Sequence, residues 1–133
     1  MIAVELRGAR VPVVGWFAHH YFFVICEGAR RERWEVWQRA ERCASSAGHV
    51  HRDLLPWRAG VGFGPSFLVK RWEGSRALLL ADRLRASLTA YPERGRYRFW
   101  PGPNSNSFAQ WVLGSDYPLP WPAIGARFRV RDR

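Results

Sequence analysis

Hydrophobic and polar residues alternate with a period of two along several early stretches, which predicts strands. Residues 3–7 alternate in this way, and residues 8–12, opening on a glycine and closing on a proline, read as a kink. From 16 to 26 both phases are apolar, with Phe17, Tyr21, Phe23 and Ile25 on one and Trp16, Phe22 and Val24 on the other. A strand apolar on both faces must be covered on both, so this one is predicted to be central. Glu27-Gly28-Ala29-Arg30 reads as a turn, and 33–39 as a second strand forming a hairpin with the first, Trp34, Val36 and Gln38 opposing Glu35, Trp37 and Arg39. Residues 44–48 read as loop, 49–54 as a short strand, 56–65 as irregular and Gly-rich, and 67–72 as another strand.

The period then changes to that of a helix. Ala77, Leu80, Ala81, Leu84, Leu88 and Tyr91 fall on one face, with Ser75 as predicted N-cap and Pro92 as the stop. A second helix opens near Asn104, buries Phe108, Trp111 and Val112, and ends at Gly114. The tail 118–122, rich in proline, is expected to run extended and to be packed down by Trp121. With no repeat and no low-complexity linker, the 133 residues predict one α+β domain (1–133) with an antiparallel sheet of about four to six strands and two main helices.

The segment before the second helix is the most informative for chemistry. Residues 96–100 alternate as a strand would, Pro101-Gly102-Pro103 turns the chain, and Asn104-Ser105-Asn106-Ser107 opens the helix. Such a strand-to-helix elbow gathers side chains and unpaired N–H groups where the helix dipole favours negative charge. Asn104, Ser105 and Ser107 are also ordinary capping residues, which is the simpler reading of the same run. What lifts the elbow above a cap is the pair His19 and His20 on the central strand: a nucleophile at a helix N-terminus facing a strand histidine is the arrangement of papain-like hydrolases. Either histidine could take the role on the pattern alone.

Trp100-Pro101-Gly102-Pro103-Asn104-Ser105-Asn106-Ser107-Phe108, with Phe17-Ala18-His19-His20-Tyr21-Phe22-Phe23-Val24 upstream, resembles the bacterial family known as domain of unknown function 3750 over most of the chain. More distantly, an early strand histidine followed by an Asn-containing helix start is similar to the circularly permuted papain-like fold of the lecithin:retinol acyltransferases and bacterial amidase-like lipoproteins. That resemblance implies a permuted papain-like domain acting on amide or ester bonds, as hydrolase or acyltransferase, or an inactive descendant of one. It implies Ser105 in the nucleophile's place, His19 as the base, Glu35 as its orienter and Asn104 beside the nucleophile. His20, Asn106, Ser107 and Trp100 are then the candidate binding residues, and the substrate a small molecule or peptide-like compound. The family's nucleophile is a thiol; a serine hydroxyl is too weak an acid to ionise at a helix terminus and needs its proton removed during attack. The N–H groups of residues 105–107 are candidates for the oxyanion hole.

The remaining features narrow the picture less. A formal charge of +10 raises a polyanion as partner, and a basic binding module for nucleic acid or another polyanion is the competing function. Its arginines are scattered, densest at Arg30-Arg31-Glu32-Arg33 and in the tail, and Lys70 is the only lysine, a bias that base composition alone can write; at most weak, non-specific binding is expected. His49 and His51 alternate onto one side of a strand and would need Cys43, Asp53 or the histidine strand as a third ligand, so neither metal nor cofactor is expected. Gly60-Val61-Gly62-Phe63-Gly64 lacks the spacing and setting of a phosphate loop. Trp57, Trp72, Trp100 and Trp121 could serve as stacking platforms. Cys26 reads as a buried, inert thiol, and Cys26 and Cys43 form no redox motif. No signal peptide and no membrane span are read, which makes the cytoplasm the default location.

Overall fold

The computed structural model describes residues 1–11, 18–62 and 64–131. Strands β1 (Ile2–Arg10), β2 (His19–Glu27), β3 (Arg30–Cys43), β4 (Ser46–Arg52) and β5 (Phe67–Glu73) are followed by helices α1 (Gly74–Ala90) and α2 (Ser105–Leu113). The sheet order is β4-β3-β2-β1-β5 with every neighbouring pair antiparallel, so the domain is α+β and the histidine strand β2 is the middle strand of five. The expected strand start at Trp16 and the proline end of the kink fall outside the described residues.

Both faces of β2 are covered, each by a different kind of layer. Tyr21, Phe23 and Ile25 join Val4, Leu6, Trp34 and Val36 in the main core, closed by the buried stripes of α1 and α2. Phe22, Val24 and Cys26 form a second cluster with Ala3 and Ala9 beneath Trp57 and Val61 of the irregular segment. That segment is held down by Arg33, which donates to the Pro56 and Ala59 carbonyls at 2.9 and 2.6 Å while its guanidinium stacks 3.7 Å over the Phe22 ring.

Several local expectations need correction. No kink interrupts β1 at Gly8: the strand runs through to Arg10, and the missing side chain makes room for Phe67 on β5, whose ring would meet a Cβ at 2.7 Å. The expected loop 44–48 shrinks to a turn between Cys43 and Ser46, since β4 starts earlier. Ser75 lies inside α1; Glu73 takes the N-cap position without a side-chain bond, and Gly74 at φ +67° joins β5 directly to the helix. Residues 96–100 pair with no strand among the described residues, so α2 is entered from an irregular segment rather than a strand. In the tail, Leu119 and Ala123 are the buried anchors, whereas Trp121 is 77% exposed. The tail had an apolar face to bury, and the smaller side chains took it.

Candidate functional site

The site begins where β2 and β3 part. Pairing between them runs only from Glu27↔Arg30 to Phe23↔Trp34, while β2 stays paired with β1 as far as His19. The outer peptide groups of His19 and Tyr21 therefore need other partners. Asn106, in the first turn of α2, supplies them: its Oδ1 accepts from Tyr21 N at 2.9 Å and its Nδ2 donates to His19 O at 2.7 Å. One side-chain amide thus stands in for a strand residue opposite His20. His19 N donates to Pro122 O at 2.8 Å, which ties the tail to the same edge.

Asn104 holds the helix start. Its Oδ1 accepts from Asn106 N and Ser107 N at 2.9 and 3.2 Å, and Asn104 N donates back to Ser107 Oγ at 3.1 Å, a reciprocal capping box. Its Nδ2 donates to the Phe99 and Ile124 carbonyls at 2.6 and 3.0 Å. Gly125 passes so close that any Cβ there would collide with the Asn104 amide. Replacing Asn104 with Ala should consequently cost more than a surface cap, about 2–3 kcal/mol in urea denaturation, because buried N–H and C=O groups lose their partners along with the helix.

This accounting narrows the expected oxyanion hole. The N–H groups of Asn106 and Ser107 are spent on the cap and that of Phe108 on the Asn104 carbonyl, which leaves the N–H of Ser105 without a partner among the described residues. The Ser105 side chain, 7% exposed, likewise bonds no described group, so it is Asn104 and not Ser105 that caps.

Ser105, Asn104 and Asn106 line a cleft of about 240 Å³ together with His19, His20 and Trp37. Val36, Val61, Tyr97, Phe99 and Ile124 give it an apolar side opposite the polar one. No hydrogen bond joins the Ser105 hydroxyl to either imidazole. Two candidates for binding, Ser107 and Trp100, lie outside the cleft: Ser107 Oγ is turned to the Gly125 carbonyl at 2.7 Å, and Trp100 borders a neighbouring groove.

Glu35 meets His20 and not His19. Phe23 pairs with Trp34, so even positions of β2 share a face with odd positions of β3, and alternation sends His19 to the other side. The His20 Nε2 to Glu35 Oε1 distance is 2.8 Å. Glu35 also accepts from Arg33 Nε and Nη2 at 2.6 and 2.9 Å and from Trp37 Nε1 at 2.6 Å, with both Arg33 and Glu35 side chains 0% exposed. Burial by itself would raise this carboxyl; the contacts with His20 and Arg33 outweigh it and hold it at about 2. An ionised carboxylate only accepts, so Nε2 of His20 carries the proton of this bond and Nδ1 is the ring nitrogen that Glu35 leaves free. His19 instead has its Nδ1 3.4 Å from the Tyr21 hydroxyl and sits edge-on to Phe67, and burial followed by the charge of Arg10 lowers its pKa.

Arg33 and Trp37 escaped the sequence reading. Their signal was present as opposite charges at positions 33 and 35 on the face of β3 that meets Phe22 and Val24 of the doubly apolar β2, since a charge buried there must be paired. The histidines of β4 serve structure: His49 Nδ1 donates to Trp37 O at 2.8 Å, and His51 bonds Arg39 O and Ser46 Oγ, each at 2.7 Å. Among the described residues no three His, Cys, Asp or Glu side chains are grouped to hold a metal ion. Trp57 is covered by Arg7, Arg31 and Arg58, and Trp72 packs on Tyr117, so neither is an open platform.

Comparison with curated proteins yields no match, and comparison with solved structures yields none either. A family model does match, described as a protein of unknown function, DUF3750, and it spans residues 1–128. With the cleft, both histidines and the whole capping box inside the matched span, the chain belongs to the DUF3750 family.

Proposed function

We propose that this domain is a permuted papain-like acyl-transfer or hydrolytic enzyme in which Ser105 is the nucleophile, His20 the base and Glu35 the group that orients it. The observation that carries the proposal is the buried Glu35–His20 pair sharing a cleft with a hydroxyl at a helix N-terminus, both that hydroxyl and its own N–H being without partners among the described residues. The strand histidine preceding the helix nucleophile in the chain supports the permuted order. His20 replaces His19 as the base because a base must be held in one tautomer, and only His20 touches a carboxylate.

In this scheme Ser105 Oγ attacks the carbonyl carbon of an amide or ester while its proton passes to His20 Nδ1. The two groups come into hydrogen-bond contact once substrate fills the cleft, as catalytic pairs often do only in the complex. The Ser105 N–H faces the developing oxyanion. The scissile C–N or C–O bond then breaks, His20 returns the proton to the leaving amine or alcohol, and an acyl-serine remains. Water or an acceptor alcohol gives its proton to His20, takes the acyl group, and Ser105 is protonated again. The mixed lining suits a small acyl group that buries apolar surface against Val36, Val61, Phe99 and Ile124 while its polar atoms meet Asn104, Asn106 and the histidines.

Covalent labelling with an alkyl fluorophosphonate tests this reading. The adduct is expected on Ser105, absent in Ser105→Ala, and formed about 10² to 10⁴-fold more slowly in His20→Gln. A folded protein that takes no label, or that loses labelling on His19→Gln but keeps it on His20→Gln, would overturn the assignment.

A further inference from the structure

Beside the cleft, and sharing Ile124 with it, runs a groove of about 310 Å³ bordered by Trp100, Pro101, Trp121, Ala123 and Phe128. Among the described residues its two tryptophans are the most exposed large hydrophobic residues after Met1, at 69% and 77%, and Phe99 next to them is 48% exposed. Rings of this size held out in water at one place mark an interaction surface. Among the described residues Arg127 is the one charged side chain on the groove, and no carboxylate lines either the groove or the cleft. Arg98, Arg127, Arg129 and Arg131 are exposed and make no ion pair with a described residue. Elsewhere some arginines are engaged, as Arg85 is with Glu27 and Glu32 and Arg71 with Glu5, while Arg10, Arg42 and Arg58 are likewise exposed and without an ion pair to a described residue. What distinguishes this face is that the unpaired Arg127 borders the same groove as the two exposed tryptophans.

We infer that this face docks on an anionic lipid surface. Tryptophan is the side chain most at home at the boundary of headgroups and acyl chains, with an apolar body and a polar N–H, and arginines around it find lipid phosphates. Among the described residues no helix is long and apolar enough to cross a membrane, so the contact is interfacial. A nucleic acid would also satisfy the arginines, but Pro101, Ala123 and Ile124 between the rings offer nothing to a base edge or a phosphate, whereas they suit acyl chains. Docked in this way, the protein would hold the mouth of the cleft at the lipid surface. The docking itself does not depend on the proposed chemistry.

Flotation of the full chain with vesicles tests it. Binding is expected to vesicles of phosphatidylcholine mixed with phosphatidylglycerol and to be much weaker with phosphatidylcholine alone. Arg127→Gln and Arg129→Gln should each lower the partition constant about fivefold. Trp100→Ala with Trp121→Ala should abolish binding, along with quenching of tryptophan emission by chain-brominated lipid. Both tryptophans are exposed, so circular dichroism should show these variants folded. Binding to neither kind of vesicle overturns the inference. So does binding that survives loss of both tryptophans, which would leave only diffuse charge attraction, and so does binding of a single-stranded oligonucleotide in place of vesicles.

Discussion

Glu35→Gln is expected to lower stability by about 3–5 kcal/mol, on the order of 10 °C or more in Tm for a domain of this size. Glutamine keeps the shape and some of the hydrogen bonds, but it leaves the guanidinium of Arg33 charged and without its carboxylate at a site with no water contact. That uncompensated charge is the cost, and it is a large share of a total stability of roughly 5–15 kcal/mol. The double variant Arg33→Met with Glu35→Leu should recover part of the loss, because removing both charges removes the desolvation penalty as well. The pH dependence has a definite sign. The folded-state carboxyl lies at about 2, below its ordinary 4.5, so its contribution is complete above the ordinary value and disappears as pH falls through the folded one. Wild type should therefore lose stability in urea titrations between pH 4.5 and 2, and Glu35→Gln should lack that component. Equal stability of the two proteins at pH 7 would mean that Arg33 is not confined as described.

Ser105→Cys is expected to create a thiol that alkylates faster at pH 7 than Cys26, by on the order of tenfold or more. A thiol at this position meets a helix N-terminus and shares a cleft with His20, and both influences favour the thiolate. Burial pushes the Cys26 thiol the other way, above its ordinary value. Cys43 is exposed, and its hydrogen bonds to Ser45 and Ser46 lower its pKa, so the comparison is best made on a Cys43→Ser background. Iodoacetamide kinetics followed by mass spectrometry give the rates directly. A folded variant whose new thiol reacts no faster than Cys26 would remove the nucleophile position from the proposal and leave residues 104–107 as a cap. Ser105→Ala should stay within about 0.5 kcal/mol of wild type, since the hydroxyl supports nothing in the fold.

The two outcomes bear on different layers of the same site. The Glu35 network tests whether the carboxylate held by His20 and Arg33 is as dry as the geometry has it, while the thiol tests whether the helix start lining the same cleft activates what it carries. A protein that passes the first and fails the second would be a scaffold with a satisfied core histidine.

Period and punctuation in the chain determined most of the architecture. The doubly apolar run through Phe22 and Phe23 could only be a middle strand, the stripe from Ala77 to Leu84 could only be a helix against a core, and Gly28-Ala29 could only be a tight turn. These are local signals, because each residue reports its own need for burial or for a backbone conformation. The Asn-Ser-Asn-Ser helix start was legible for the same reason, a cap being a contact over three residues.

Where those elements stop, and which side chains meet, was decided by contacts distant in sequence. Gly8 looked like a kink and became a place for Phe67; residues 96–100 alternated like a strand and found no strand to pair with among the described residues. Whether Glu35 serves His19 or His20 turns on the register of β2 against β3, where a shift of one residue exchanges the two histidines between faces. Trp121 was expected beneath the tail and stands out from it, because Leu119 and Ala123 filled the available core. Composition could count eight tryptophans and a charge of +10, but only the packed tertiary structure could bring two exposed rings and Arg127 to one groove.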